Sequence, residues 1–467
     1  MIHKATGYWI HEAGPQPEFP ALDGDHAFDV LVVGGGFTGL WSAYHLKSAE
    51  PDLKVGLIES HRIGHGPSGR NGGFVDAMWV SFSSLVARYG ELPALQLARA
   101  AERSVAQIGE FLDQHGVDAW FRKSGYLNVS TAPVWDDSWE QNLKAMRAAG
   151  IVDGPRELTA AEVQEICASP AFRGGVHYGA AATVQPARLA FGIRDAVRQL
   201  GVELFESSPV NRIEDGGPEI KVTTPNGRAT AGRIILGNGP TLAGMGSPLR
   251  SNVTLASSHM VITEPVPDVI DELGWTGGEA ISDCRSLLSY FRTTPDGRIA
   301  FGWGGGRIAA GSRRFGRAEV DAEVVAGVIE GLKRYFPMLA DRKLEYAWGG
   351  PIDASPTHMP HVVELPSGRA FAAFGYTGNG VGPSQMVGRS LASLALDRRD
   401  EYSELAFIEP ASALTSVPPE PFRWLGGAMI RDAIGRKEEA YMTGQRPGPI
   451  SSAISRIPEL IGFHIGR

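Results

Sequence analysis

The chain has 467 residues and 59 glycines, against about 33 expected at an average glycine content of roughly 7%. Its formal net charge of −8 opposes nonspecific binding to nucleic acid or to an anionic lipid surface. The length suffices for two or three domains, and the two cysteines, Cys167 and Cys284, form no CxxC pair, so neither a disulfide scaffold nor a thiolate metal site is indicated.

Residues 1–27 are expected to form an N-terminal arm. The first 20 residues contain no continuous apolar segment of the kind that directs secretion, and no run of about 18 apolar residues occurs along the chain. The sequence therefore predicts a cytoplasmic protein without a membrane span.

The first chemical signal is a βαβ unit over residues 28–59. Residues 29–33 have the composition of a buried strand, residues 40–47 follow a helical pattern, and a second strand ends at Glu59. The loop between the first strand and the helix fits the dinucleotide-binding pattern G-x-G-x-x-G, with the residues Gly34, Gly36, Phe37, Thr38 and Gly39.

Each of these residues has a role that suits a pyrophosphate. Gly34 permits a tight turn, Gly36 lets the backbone approach the phosphates, and Gly39 lets the helix pack closely on the strand. The helix N-terminus attracts negative charge, and Glu59 is placed to accept hydrogen bonds from a ribose diol. An ordinary glycine-rich turn is the alternative, but all parts of a dinucleotide site occur here in the required order.

Three further segments favour FAD over NAD. A glycine-rich polar loop occupies residues 60–73, where an NAD domain normally proceeds to another helix. Residues 233–240 predict a strand that runs into a glycine turn containing Gly237 and Gly239, and residues 370–382 predict a second strand-loop-helix unit. The helix of that unit would present N–H groups to an electron-rich ring edge.

These segments resemble the D-amino-acid-oxidase-like FAD-dependent amine oxidoreductases, which include glycine, sarcosine and γ-glutamylputrescine oxidases. The resemblance looks closest to the γ-glutamylputrescine oxidase-like branch, and its most specific part is the string Ser68-Gly-Arg-Asn-Gly-Gly73. It also rests on residues 29–40, on residues 347–350 and on residues 374–380.

The resemblance implies an α/β fold with two domains. A discontinuous Rossmann-like FAD-binding domain would come from residues 28–85, 184–250 and 345–407. An α+β substrate domain with an antiparallel sheet would come from residues 86–183 and 251–344. Residues 408–467 form a C-terminal tail, which we expect to cap the domains, with partner binding as the alternative.

The resemblance also implies which residues hold FAD. The flavin ring would pack on Gly350 and residues 377–381, and adenine would meet the backbone of Val210. The branch often has Gly-His-Gly where this chain has Gly378-Asn379-Gly380. The expected cofactor-binding residues are Gly34, Gly36, Phe37, Thr38, Gly39, Glu59, Ser60, Arg62, Ser68, Gly69, Arg70, Asn71, Gly72, Gly73, Val210, Gly237, Gly239, Gly350, Gly378, Asn379, Gly380 and Val381.

Noncovalent binding of FAD is expected. No cysteine follows Cys284, and Arg70 occupies the position where related dehydrogenases carry a linking histidine. His61 and His65 are the nearby alternatives for a covalent link. No metal site is predicted, because the two histidine pairs 61/65 and 358/361 lack a third ligand.

The predicted activity is oxidation of a C–N bond in a secondary amine, an amino acid or a polyamine-type substrate by hydride transfer to the flavin. The resulting imine then hydrolyses, and O2 or another acceptor takes the electrons. The sequence identifies no catalytic residue. A flavin monooxygenase reduced by external NAD(P)H and a non-catalytic, flavin-stabilised subunit of a complex are the alternatives.

The substrate site needs an apolar wall and a few orienting polar groups. Tyr290 and Arg292 are two residues apart on a predicted strand, so they share a face and suit a substrate carboxylate, although a structural ion pair is the alternative for Arg292. Trp79, Trp348 and Tyr376 are candidate walls, with core packing as the alternative, and His259 is a candidate neighbour of the flavin or a structural histidine.

Overall fold

The structure is a computed structural model that describes residues 2–3, 6–152, 154–242, 248–312, 316–463 and 465. Among the helices described there, none is both long enough and apolar enough to cross a lipid bilayer. Two large β-sheets and the helices that cover them form the molecule.

The elements alternate between the two sheets along the chain. The strands are β1 (Ile2–His3), β2 (Gly24–Val33), β3 (Val55–Ile58), β4 (Phe74–Val75), β5 (Tyr126–Ser130), β6 (Pro155–Leu158), β7 (Gly174–Tyr178), β8 (Ala182–Thr183), β9 (Glu203–Phe205), β10 (Arg212–Glu214), β11 (Ile220–Thr223), β12 (Gly227–Leu236), β13 (Thr254–Thr263), β14 (Ala280–Asp283), β15 (Ser289–Thr293), β16 (Ile299–Trp303), β17 (Leu344–Ala354), β18 (His361–Glu364), β19 (Ala370–Phe374) and β20 (Ile408–Pro410). The α-helices are α1 (Gly7–Glu12), α2 (Phe37–Ala49), α3 (Phe82–Tyr89), α4 (Glu91–His115), α5 (Glu140–Ala148), α6 (Ala160–Ile166), α7 (Pro186–Gln199), α8 (Pro267–Glu272), α9 (Ala322–Tyr335), α10 (Val381–Ala395), α11 (Phe422–Met442), α12 (Pro449–Ile454) and α13 (Ile457–Leu460).

The first sheet contains five parallel strands in the order β19-β12-β2-β3-β9. Every residue of β3 and of β19 is buried. Helices α2 and α10 cover one face of the sheet, and residues of β11, β12 and the segments around Leu242 and Leu249 form a core on the other. On one face α2 packs closely on α10, where a Cβ added at Gly388 would come within 2.5 Å of Trp41 Cβ. The carboxyl ends of the parallel strands meet at one edge, which creates a crevice there.

The second sheet has nine strands in the order β1-β17-β13-β16-β15-β14-β5-β7-β6. Its pairs are antiparallel except for β1 with β17 and β14 with β5. A parallel α/β unit joined to a largely antiparallel sheet confirms the predicted fold class. The helical pattern over residues 85–115 is divided into α3 and α4 at Gly90, whose φ of +82° suits glycine.

The sheet pairing changes two of the expected domain boundaries. Strand β17 pairs with β13 over most of its length, so residues 345–354 lie in the antiparallel sheet and not in the parallel one. Strand β20 extends the parallel sheet beyond residue 407, because it pairs with β18. Pairing between strands that are distant in sequence determines both boundaries, and a local sequence pattern cannot predict such pairing.

The C-terminal tail packs on the antiparallel sheet through helix α11. The Arg431 Nε donates to the carbonyl of Gly305 (2.9 Å), and its guanidinium lies over the Trp303 ring. The buried Glu438 Oε1 accepts the backbone N–H of Ser286 (2.7 Å), and burial raises the pKa of this carboxyl to about 7. The tail therefore has specific polar anchors on the body of the protein.

Candidate functional site

A cavity of about 1050 Å³ lies at the carboxyl edge of the parallel sheet. The turns that follow β2, β3, β12 and β19 line one part of it, and strands of the antiparallel sheet line another. Helix α11 and the residues Ile457, Pro458, Ile461, Phe463 and Ile465 complete the wall. One space thus joins the crevice predicted for a dinucleotide to the sheet predicted for substrate.

The glycine loop between β2 and α2 has the geometry that the dinucleotide pattern predicts. Gly34 has a φ of +109°, which L side chains rarely adopt. A Cβ at Gly39 would overlap the carbonyl oxygen of Gly34, so only glycine allows the helix to begin this close to the strand. Gly34, Gly36, Phe37 and Thr38 line the cavity, whereas Gly39 lies behind them and supports the turn.

The polar loop after β3 contacts the start of α2. The Ser68 Oγ accepts the backbone N–H of Phe37 (2.8 Å), the first residue of the helix. The Asn71 side chain holds the loop together, since its amide nitrogen donates to the carbonyl of Ser68 (2.9 Å) and its oxygen accepts the N–H of Gly73 (2.7 Å). Ser68, Arg70, Asn71 and Gly72 line the cavity, whereas Gly69 and Gly73 do not.

The carboxylate of Glu59 lines the cavity at the end of β3. Its Oε2 accepts the backbone N–H of Gly35 (2.8 Å), and its Oε1 accepts the Ser60 hydroxyl and the N–H of His61 (2.9 Å each). A carboxylate has about four lone-pair positions, so it retains acceptor capacity toward a ribose. Ser60 and Val210 line the cavity nearby.

The two arginines of the loop are held by acidic partners of this chain. Arg62 pairs with Glu206 (Nε to Oε2, 2.9 Å) and with Glu18 (Nη1 to Oε1, 2.6 Å), and this fixes the N-terminal arm. Arg70 pairs with Glu319 (3.1 Å). Both side chains line the cavity while their guanidinium groups serve these ion pairs.

The opposite rim of the crevice contains a buried carboxylate that the sequence did not reveal. Asp353 ends β17 between two turns, and its Oδ2 accepts the N–H of Gly375 (2.7 Å). A Cβ at Gly239 would lie 2.8 Å from the same oxygen. Burial raises the pKa of Asp353 to about 6. Gly237, Gly239 and Asp353 all line the cavity.

The turn after β19 brings the remaining predicted cofactor residues into the cavity. Gly378, Asn379, Gly380 and Val381 line it, as does Gly350 of β17. The Asn379 side chain donates to Asp76 Oδ2 (3.1 Å), so an amide tied to a carboxylate stands where the related branch often has histidine. The Tyr376 hydroxyl bonds to Thr38 Oγ1 (2.8 Å), and burial raises its pKa.

Tyr290 and Ser258 form the polar part of the wall on the antiparallel sheet. The Tyr290 hydroxyl and Ser258 Oγ are 2.6 Å apart and either atom can donate. The Tyr290 ring passes over Gly302 of the intervening strand, where a Cβ would overlap it. Gly302 therefore makes room for the Tyr290 ring.

Four predicted substrate residues lie outside the cavity wall. Arg292 shares a face with Tyr290, but α1 covers that part of the face: its buried guanidinium lies over the Trp9 ring and donates to the carbonyls of Gly73 (3.1 Å) and Val184 (2.6 Å). Burial lowers the pKa of Arg292 to about 9. This position serves loop anchoring and does not support a contact with a substrate carboxylate.

The other three predicted substrate residues lie in packed regions outside the cavity wall. They are Trp348, Trp79 and His259. Trp348 is buried against α1, and its indole N–H donates to the carbonyl of Arg70 (2.8 Å). Trp79 packs on Phe82 beside α4. His259 follows Ser258 on β13, so strand alternation points it to the opposite face, where burial lowers its pKa to about 4.

Comparison with known proteins identifies the family. A profile described as "FAD dependent oxidoreductase" (DAO) matches residues 29–394. The chain belongs to the DAO family of FAD-dependent oxidoreductases. The fold and the enzyme class predicted from the sequence are thereby confirmed, and the cofactor is FAD.

Relatives within the DAO family match over most of their length. A γ-glutamylputrescine oxidoreductase of Escherichia coli is 27% identical over 93% of this chain and 100% of its own. A sarcosine oxidase subunit beta of Rhodobacter capsulatus is 22% identical over 86% of this chain and 93% of its own. The glycine oxidase structure from Geobacillus kaustophilus shares the fold with a TM-score of 0.70, at 20% identity over 84% of this chain and 100% of its own.

The crevice of this DAO family member fits FAD on its own geometry. The turns approach each other so closely that a Cβ at Gly34 would meet Asn238 and one at Gly39 would meet the Gly34 carbonyl, and the extended Gly36 leaves the N-terminus of α2 without a cap from its N-cap side chain. The N–H groups of such a terminus suit a pyrophosphate.

Proposed function

We propose that this chain oxidises the C–N bond of an amine or amino acid to an imine, which water hydrolyses to a carbonyl compound and an amine. The observation that carries the proposal is the single cavity that joins the cofactor crevice to the Ser258–Tyr290 wall. Relatives named for γ-glutamylputrescine, glycine and sarcosine support this substrate class.

FAD supplies the acceptor for the hydride that leaves the carbon next to the nitrogen. The chain positions the substrate and keeps it away from bulk water, with the Tyr290 hydroxyl as an orienting group. Burial raises the pKa of Tyr290 to about 12, so its hydroxyl stays protonated at neutral pH.

The electrostatics of the wall favour a neutral amine, the form from which hydride leaves readily. Among the described residues, three carboxylates line the cavity, and this chain engages each of them: Glu59 by the N–H of Gly35, Glu319 by Arg70, and Asp353 by the N–H of Gly375. Desolvation in such a site lowers the pKa of a bound ammonium group.

The test is anaerobic mixing of the FAD-loaded protein with a panel of amines and amino acids, then with NADH and NADPH, while flavin absorbance is followed. Bleaching by an amine is expected. Bleaching only by NAD(P)H would indicate a monooxygenase, and bleaching by none of them would indicate a non-catalytic subunit. Reoxidation in air then separates an oxidase from a dehydrogenase.

A variant tests the wall itself. Tyr290→Phe removes one orienting hydroxyl and should slow flavin reduction about fivefold while FAD is retained, because one hydrogen bond contributes about 1 kcal/mol. Tyr89→Phe, on α3 and outside the cavity wall, is the control and should reduce at the wild-type rate. Equal rates in both variants would remove Tyr290 from the substrate site.

A further inference from the structure

The tail contributes a large and chemically uniform part of the cavity wall. Among the described residues, its contribution contains no carboxylate and is dominated by aliphatic and aromatic side chains. The members that matter here are Phe422, Ile430, Ile434, Ile457, Ile461 and Phe463.

Two arginines of the tail also line the cavity, and the guanidinium groups of both are bound by other residues of this chain. Arg431 donates to the carbonyl of Gly305 (Nε, 2.9 Å) and pairs with Asp432 (2.6 Å). Arg423 pairs with Glu420 (3.2 Å) and donates to the carbonyl of Val253 (3.0 Å). These cations fix α11 to the body of the protein, so neither is offered to a ligand carboxylate.

Apolar side chains also line the cavity beside this part of the tail. Gly427 packs against Ile308, where an added Cβ would come within 3.4 Å, and Ile434 lies in the cavity wall with Leu287. Ser258 and Tyr290 provide the nearby polar groups, and both are neutral at physiological pH. A charged group placed beside the buried Ile434 and Leu287 would be desolvated without a counter-charge among the described residues there, which is costly.

We propose that the substrate is an amine whose part remote from the reacting carbon is apolar and uncharged, and that this part packs against α11 and residues 457–463. The inference rests on the proposed function and deepens it. Such a substrate differs from the small amino acids and the polar chain in the relatives' names, because the tail residues that the structure describes in the wall place no uncommitted charge there. The cavity reaches the surface beside Phe422 and Ile461, whose side chains line it and are 69% and 52% exposed.

The experiment compares N-methylalkylamines of increasing chain length with amines of matched length that end in a carboxylate or an ammonium group. Anaerobic flavin reduction gives the apparent dissociation constant of each. The alkyl series should bind about fourfold more tightly for each added CH2 until the wall is filled, since that is the effect of burying one methylene. Matched polar chains should bind at least tenfold more weakly than the alkyl chain.

A second measurement does not depend on turnover. The amine 2-methyloctan-2-amine has no hydrogen on the carbon next to nitrogen, so it cannot be oxidised to an imine, and calorimetry reports its binding directly. Ile430→Asp should weaken this binding at least tenfold. Met429→Asp is the matched control on the same helix, because Met429 is 58% exposed and lies outside the wall, and it should bind like wild type.

The outcomes separate the two proposals. If no amine reduces the flavin, the proposed function fails. If amines reduce it but polar chains bind as tightly as alkyl chains, or if Ile430→Asp binds 2-methyloctan-2-amine like wild type, the apolar-substrate inference is overturned while the proposed function stands.

Discussion

The two ends of the cavity are built from different parts of the polypeptide. The cofactor end is formed largely by glycine-containing turns at residues 34–36, 237–239 and 376–380, which present backbone to the cavity. The tail end is formed by side chains such as Ile430 and Ile434. Backbone recognition suits a cofactor shared by a whole family, whereas side chains are free to change with the substrate.

The largest expected effect is the loss of FAD binding at the cofactor end. Gly39→Ala places a Cβ on the carbonyl oxygen of Gly34, so the turn cannot close and FAD retention should be lost, with at least a hundredfold weaker binding. Flavin absorbance after desalting is the measurement. Gly179→Ala is the control, since nothing lies within 4 Å of its added Cβ, and it should keep FAD. Full FAD content in Gly39→Ala would mean that the cofactor lies elsewhere.

A smaller effect is expected at the tail end. Glu438→Ala leaves the N–H groups of Ser286 and Leu287 without their buried acceptor, which should lower the free energy of unfolding by about 2–4 kcal/mol. FAD retention should persist, because the crevice is untouched. Denaturant unfolding measures the change.

The matched variant Glu438→Gln retains an acceptor oxygen and removes the desolvation cost of a buried charge. Its stability should lie within about 1 kcal/mol of the wild type. If Ala and Gln behave alike, the carboxyl group does not anchor the tail through these hydrogen bonds.

The last expected effect is a pH-dependent change in stability at Asp353, the buried carboxylate beside the turn after β19. The pKa of Asp353 is raised to about 6 from an ordinary value of 3.8, so its contribution to stability is complete below about pH 4 and is lost as the pH rises through 6. Asp353→Asn should therefore gain stability relative to wild type between pH 4 and pH 8, by up to about 3 kcal/mol.

Thermal unfolding of the two proteins across this pH range tests the expectation for Asp353. The exposed Asp341→Asn serves as the control and should follow the wild-type pH profile. A constant difference between Asp353→Asn and wild type at every pH would show that burial does not perturb this carboxyl.

Much of the cofactor end was predictable because its determinants are local. The strand, glycine turn, helix and Glu59 lie within about thirty consecutive residues, and the structure places nearly all of these predicted residues in or directly behind the cavity wall. Gly69 and Gly73 are the exceptions in the polar loop, because close backbone approaches required glycine there for packing.

Only some of the residues expected to contact substrate line the cavity. Tyr290 and Tyr376 line the cavity, but the face shared by Tyr290 and Arg292 is covered at Arg292 by α1, a segment almost three hundred residues away in sequence. Ser258 was missed beside His259, although the alternation of β13 distinguishes the two. Asp353 was missed because its carboxyl becomes significant only where β17 meets the turn after β19.

The sequence by itself indicated the dinucleotide site, because a glycine turn needs only its neighbours to define its geometry, and the resemblance of its motifs to a known family implied FAD and the two-sheet fold. The tertiary structure alone decided which side chains line the rest of the cavity. It covered Arg292 and Trp348 with α1, and it brought α11 and residues 457–463 into the wall. Those contacts join residues hundreds of positions apart, and burial that depends on such pairs is not recorded in local sequence.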